Sequence, residues 1–364
     1  MDESRREEVH ERLEGYLDAE GLAAVWFARS NTFAWLTGGD NVVDRADEPG
    51  VAAVGYDGDL RVVTSNIEAG RLADEQLPAG VAVESFPWHA SSLTAAVAER
   101  SPRPAAADVP VAGFETVDAS RLRQPLTDGD RKRYRRLGET VAATVEAVCR
   151  DLSPGTTERA AAADLRGRLA AAGIETPVAL VGGARRARRY RHYAPTDETL
   201  GAYALVSVTA RRAGLYASCT RTVAFDPPAW LAQRHLAAAR VEATALAATR
   251  RVGREGGTAG DVFAAIQAAY ATLGHQEEWR EHHQGGAAGY AGREWIATPD
   301  HGAPVELPMA YAWNPTVEGA KSEDTVLVTA EGVDPLTATG EWPTLEAEAI
   351  DGTATLERPA ILER

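Results

Sequence analysis

The chain has 364 residues, is 45% hydrophobic and 25% charged, and carries a formal net charge of −15. That length points to two domains with cores of real size, and the acidic balance argues against nucleic acid as a partner, because phosphate binding needs a basic patch. No apolar run is long enough for a membrane span. The charged start Met-Asp-Glu-Ser-Arg-Arg-Glu-Glu has no signal-peptide core, and the two cysteines, Cys149 and Cys219, imply no disulfide framework, so a cytoplasmic protein is expected.

Residues 2–20 place Val9, Leu13, Tyr16 and Leu17 at helical spacing and predict an amphipathic helix. Ala23–Phe27 reads as a buried strand and Asn31–Gly39 as a short helix ending in glycines. Val51–Tyr56 and Leu60–Ser65 flank an Asp-Gly-Asp turn, which is a hairpin signal. Helix at 67–75, strand at Val81–Phe86 and helix at Ser91–Arg100 follow, and the Pro-rich Ser101–Val111 reads as a loop leading to one more strand or turn. Alternation of this kind predicts a small α/β domain over 1–126.

Around Thr127-Asp128-Gly129-Asp130 the pattern changes. Long helices are predicted over Asp130–Leu152 and from Thr156-Thr157-Glu158, which look like an N-cap and helix start, to about Ala172. Strands at Val178–Val181, Tyr203–Thr209 and Gly214–Val223 follow, then helices at 228–250 and 258–273, then strand and turn over 285–350. The second domain, 127–364, is therefore expected to be α+β with internal pseudo-symmetry. Lys132 and Lys321 are the only lysines. Acidic excess with arginine in place of lysine suggests a halophilic, high-salt setting, and makes Lys321, inside the glycine-rich stretch 281–325, a residue to watch. In that stretch glycines alternate with His, Arg, Glu, Asn and Lys, so backbone that approaches closely is combined with the charge a reaction site needs.

Several segments of the second domain resemble the creatinase/prolidase/aminopeptidase P family, peptidase M24, which has the pita-bread fold. Ser153-Pro154-Gly155-Thr156-Thr157-Glu158 resembles its helix linker and Thr220-Arg221-Thr222-Val223 its Thr-Arg-Thr strand. Gly319-Ala320-Lys321-Ser322-Glu323-Asp324-Thr325 resembles the start of its closing strand, and Trp35-Leu36-Thr37-Gly38 a piece of its smaller N-terminal domain. The resemblance implies a two-metal site built from Asp, Asp, His, Glu and Glu. By spacing, those places fall on Ser207, Ser218, Gly286, Asn314 and Glu323, so four of the five are vacated and neither metal nor cofactor is expected. Ser207 and Ser218 read as small polar fillers, not nucleophiles, since neither sits in a Gly-x-Ser-x-Gly elbow. His282 and His283 could hold a relocated ion, but neighbours on a strand point apart.

What the resemblance retains is His192, at the place of a substrate-facing histidine that serves as general base in creatinase. It also retains Tyr290-Ala291-Gly292-Arg293-Glu294, similar to a creatinase run whose arginine grips a substrate carboxylate. The expected catalytic residues are His192, Glu294 and Glu323, with Arg221, Tyr290, Arg293, Asn314 and Lys321 binding substrate. The implied activity is metal-independent hydrolysis of a C–N bond in a small carboxylate-bearing molecule or short peptide by a homodimer. The alternatives are a catalytically silent binding protein and a divergent Xaa-Pro metallopeptidase.

Overall fold

The computed structural model describes residues 3–46 and 48–364. The chain forms two compact units, Met1–Gly129 with Ala213–Leu215, and Asp130–Arg212 with Tyr216–Arg364. Among the described residues no helix is long and apolar enough to cross a membrane.

The first unit opens with α1 (Glu3–Glu20), whose buried Val9, Leu13 and Leu17 follow the helical repeat; Asp2, where the expected helix begins, lies outside the described residues. There follow β1 (Ala24–Phe27), α2 (Ser30–Thr37), β2 (Ala52–Tyr56), β3 (Leu60–Ser65), α3 (Ala69–Arg71, continued as a wider turn through Gln76), β4 (Ala82–Phe86), α4 (Leu93–Arg100), β5 (Ala105–Ala107) and β6 (Glu115–Thr116). They build a six-stranded sheet in the order β4-β3-β2-β1-β5-β6. β5 corrects the expected loop at 101–111. Three alanines carry no strand pattern, yet Ala105–Ala107 pair in parallel with Ala24–Trp26, and Ala105 and Ala107 are buried in the core that holds Trp26 and Val63.

The second unit begins within α5 (Asp128–Asp151). Tyr134, Leu137, Val141, Val145 and Val148 are buried along one stripe, and each such apolar side chain contributes roughly 1.5–3 kcal/mol of burial. Gly138 on that helix is required by close approach, because a Cβ there would lie 2.2 Å from the Leu336 carbonyl oxygen. α6 (Glu158–Ala171) starts at Thr157, whose hydroxyl accepts the Ala160 N–H at 3.2 Å. β7 (Glu175–Gly183), α7 (Ala184–Arg189), β8 (Tyr203–Arg212) and β9 (Leu215–Ala224) come next, then α8 (Leu231–Glu255) and α9 (Ala259–Thr272), the latter opened by a Thr258/Asp261 capping box.

The remainder is strand and turn: β10 (Gly285–Ala288), β11 (Met309–Trp313), β12 (Thr316–Val317), β13 (Ala320–Lys321), β14 (Asp324–Val328), β15 (Val333–Pro335), β16 (Thr344–Glu348), β17 (Thr355–Pro359) and β18 (Ile361–Glu363). Two four-stranded sheets result, β18-β9-β8-β7 and β10-β11-β14-β15. β18 lies beyond the stretch expected to form strands and pairs in parallel with β9. α7 forms between two expected strands, where no element was predicted. Trp295, Trp313 and Trp342 are buried packing residues, and burial pushes the thiols of Cys149 and Cys219 upward.

Candidate active site

The site is assembled in the second unit where β8, β9 and the segment leading into β14 meet two histidine-bearing loops. Ser207 on β8 and Thr220 on β9 share a hydrogen bond of 2.8 Å between hydroxyls, and Tyr193 Oη lies 3.2 Å from Ser207 Oγ. Thr220 then donates to Glu323 Oε2 at 2.8 Å, while its N–H bonds the Glu323 carbonyl at 2.9 Å. Ser218, two residues earlier on β9, pairs with Thr209 at 2.9 Å and receives Arg293 Nη1 at 3.4 Å. Both serines are buried, and neither has a histidine partner among the described residues.

Glu323 is the ionic centre. Lys321 Nζ lies 2.7 Å from its Oε2 and Arg293 Nη2 lies 3.1 Å from its Oε1. Burial pushes this carboxyl upward, but the two cations, with hydrogen bonds from Lys321 and Thr220, outweigh it and bring it down to about 2. It is therefore an engaged carboxylate at neutral pH. Two positive groups face one negative group, which leaves one positive charge over.

The imidazoles come from two loops. His192 follows α7, and its neighbours fix it. Tyr193 is buried beneath the sheet, and Arg191 reaches Glu278 Oε2 at 2.7 Å, tying this loop to the one before β10. In that second loop the side chain of buried Gln284 donates to the His282 carbonyl at 2.5 Å and accepts from Tyr270 Oη at 2.9 Å. His282 and His283 lie in a bend ahead of β10, so strand alternation does not apply. Their rings stack at 4.3 Å rather than pointing apart, which corrects the strand-based expectation. The bend is completed by Gly285 at φ 97°. His192 Nε2 and His282 Nε2 are 3.2 Å apart, and one ring nitrogen from each of His192, His282 and His283 falls within 4.8 Å of the others. Burial, then Lys321 and the neighbouring imidazoles, pushes His282 down to about 2; burial, then Arg293 and Lys321, brings His283 to about 4. Both rings are neutral at pH 7.

His192, Arg293, Lys321 and Glu323 thus come together with Ser207 and Ser218 close by. The other expected site residues have partners of their own or stand apart from this ion pair's hydrogen bonds. Arg221 is buried and bonds Asp324 Oδ1 at 2.9 Å and the Thr337 carbonyl at 2.6 Å. Tyr290 is buried and donates to Asp130 Oδ1 at 2.7 Å. Glu294 accepts the Tyr290 N–H at 2.8 Å. Asn314 is buried, and its Oδ1 has no hydrogen-bond partner among the described residues. At Gly286 a Cβ would lie 2.1 Å from the Trp295 carbonyl oxygen, so no side chain fits that position. The paired His282 and His283 are what sequence reasoning set aside; the Gly285-Gly286 run directly after them was the available signal of a bend.

Two units, the second holding paired sheets and long helices around a polar centre, define the architecture of the pita-bread class. A profile of metallopeptidase family M24 matches residues 132–330, and the chain belongs to that family. The structure is similar to dipeptidase PepE from Mycobacterium ulcerans (20% identity, TM-score 0.75, 100% of each chain covered). It is also similar to the prolidase from Pyrococcus horikoshii (17%, 0.73, 92% of this chain and 98% of that one). A third similar structure is the N-terminal domain of a FACT complex subunit from Cicer arietinum (12%, 0.67, 93% and 96%). No curated protein sequence matches the chain significantly.

Proposed function

We propose that this M24 peptidase-like protein hydrolyses a C–N bond in a small carboxylate-bearing substrate, such as a dipeptide or an N-acyl amino acid, without a carboxylate-held pair of metal ions. The observation that carries the reading is the uncompensated positive charge at Arg293 and Lys321 beside neutral imidazoles. A substrate carboxylate is attracted to that charge, and its amide then meets the imidazole group, in which His192 and His283 are exposed. The donor set around Glu323 does not fit two hard cations: its neighbours are a lysine, an arginine and hydroxyls already hydrogen-bonded to one another.

The test is turnover of a panel of dipeptides and N-acyl amino acids against their C-terminal amides. Free acids should be hydrolysed and amides should not, and His192→Ala should abolish turnover. Equal rates on acids and amides would refute the reading. A second reading, a binding protein that holds the same carboxylate without turnover, is favoured by one observation: Glu323 is locked by Lys321, Arg293 and Thr220, and so is not free to activate water. Saturable binding of free acids with no product would establish it.

A further inference from the structure

We propose that His192, His282 and His283 together hold a single divalent cation of the zinc class, at a site distinct from the places that the family resemblance assigns to metal. Among the described residues these three are the one group of three or more His, Cys, Asp or Glu whose ligand atoms converge, all within 4.8 Å. Tetrahedral bonds of about 2.0–2.1 Å put two ligand nitrogens about 3.3 Å apart, and the Nε2 atoms of His192 and His282 are 3.2 Å apart. His283 is exposed, so its ring has room to swing inward.

A second observation points the same way. His282 is 7% exposed, and its Nδ1 has no hydrogen-bond partner among the described residues. The ion would bind Nε2, whose partner is the Nε2 of His192; two neutral rings protonated at Nδ1 turn bare lone pairs toward each other there, and a cation between them relieves that. Three imidazole nitrogens suit zinc, copper or nickel over magnesium or calcium. Lys321 and Arg293 leave one positive charge over after Glu323, a repulsion that the three imidazole ligands outweigh. Three protein ligands leave a coordination position open to water or to a substrate carbonyl. This departs from the expectation that no metal binds. The rival is an N–H···N hydrogen bond between His192 and His282 with no ion.

The experiment titrates the chelator-stripped full chain with zinc chloride by calorimetry and, in parallel, with cobalt chloride by visible absorption. One equivalent should bind, with the intense d–d bands of low-coordinate cobalt. His192→Ala and His283→Ala, both at exposed positions and each checked for an unchanged fold by circular dichroism, should weaken binding by about 100-fold or more, at or beyond the loss typical of a supporting residue. Two equivalents, one equivalent indifferent to both substitutions, or no saturable binding would each overturn the proposal. The readout is binding, so a failed titration leaves the hydrolase reading standing, and bound metal without turnover sinks only the latter.

Discussion

The run Lys321–Thr325 carries two ionic networks that point opposite ways, and they are built on different rules. Ser322 and Asp324 turn toward α8. There Glu242 accepts Ser322 Oγ at 2.5 Å and Arg358 Nη2 at 2.8 Å, and Asp324 takes Arg358 Nη2 at 2.6 Å and Arg221 Nη1 at 2.9 Å. With Glu146 3.5 Å from Arg221 and 3.6 Å from Arg150, three guanidiniums face three carboxylates, so this side is near balance. Lys321 and Glu323 face the other way, toward β9 and Arg293, and there one positive charge is left over beside neutral imidazoles. A balanced, closed network braces the fold. An unbalanced one at the meeting point of loops is where a charged ligand completes the count.

The largest effect should come from breaking the brace. Asp324→Ala removes a partner from two buried arginines, and a buried charge left unpaired costs about 3–5 kcal/mol, a large part of the stability of a typical domain. Chemical denaturation should show that loss. A cost close to zero would mean that the two faces are not different in kind.

Next is Glu323, whose effect should depend on pH. Its folded carboxyl lies at about 2 against an ordinary 4.5, a difference worth roughly 3 kcal/mol. Because the folded value is the lower one, the stabilisation is complete above pH 4.5 and drains away as pH falls toward 2. The stability gap between the native protein and Glu323→Gln should therefore be flat near neutrality and should narrow through that acid window. A gap of constant size down to pH 2 would contradict the ion pairing.

The same two faces show what could be read from the sequence. Thr220–Val223 and Gly319–Thr329 are continuous segments, and their place in the fold was legible because the pattern is local. So was Lys321, conspicuous in a chain that nearly avoids lysine. The face on which each basic residue ends was not legible. Arg221 and Arg293 look equally suited to a ligand in sequence, and long-range pairing decides between them: Asp324 and Glu146 claim the first, Glu323 the second. α7 was missed for a related reason. Its arginines give no apolar period and only Ala187 is buried, while Glu198, Glu158 and Glu318, all distant in sequence, hold it in place. The imidazole group depends on a bend that puts two adjacent side chains on one side.

Arg293→Ala should act on binding more than on stability, since its side chain sits at the rim of the site and is 10% exposed. A hydrogen bond to a charged group is worth about 1.5–3 kcal/mol, so KM for a free-acid substrate should rise about 10-fold to 150-fold. Binding of the corresponding amide should hardly change. Equal losses for acid and amide would place Arg293 with the brace.

The smallest effect separates a filler from a nucleophile. Ser207 Oγ is one link in the chain from Tyr193 through Thr220 to Glu323, and none of those neighbours is a neutral base able to take its proton. Burial pushes the Tyr193 phenol upward, and Glu323 is already held as a carboxylate by two cations. Ser207→Ala should therefore cost about 2 kcal/mol, the net worth of two buried hydrogen bonds, and should leave kcat within about tenfold of the native value. A serine that forms the covalent intermediate behaves differently, because its loss removes the reaction path itself, with kcat falling by about a millionfold in a serine protease. Measured side by side, stability and kcat of Ser207→Ala show whether this face of the strand run holds its charge in place for a ligand or attacks the substrate directly.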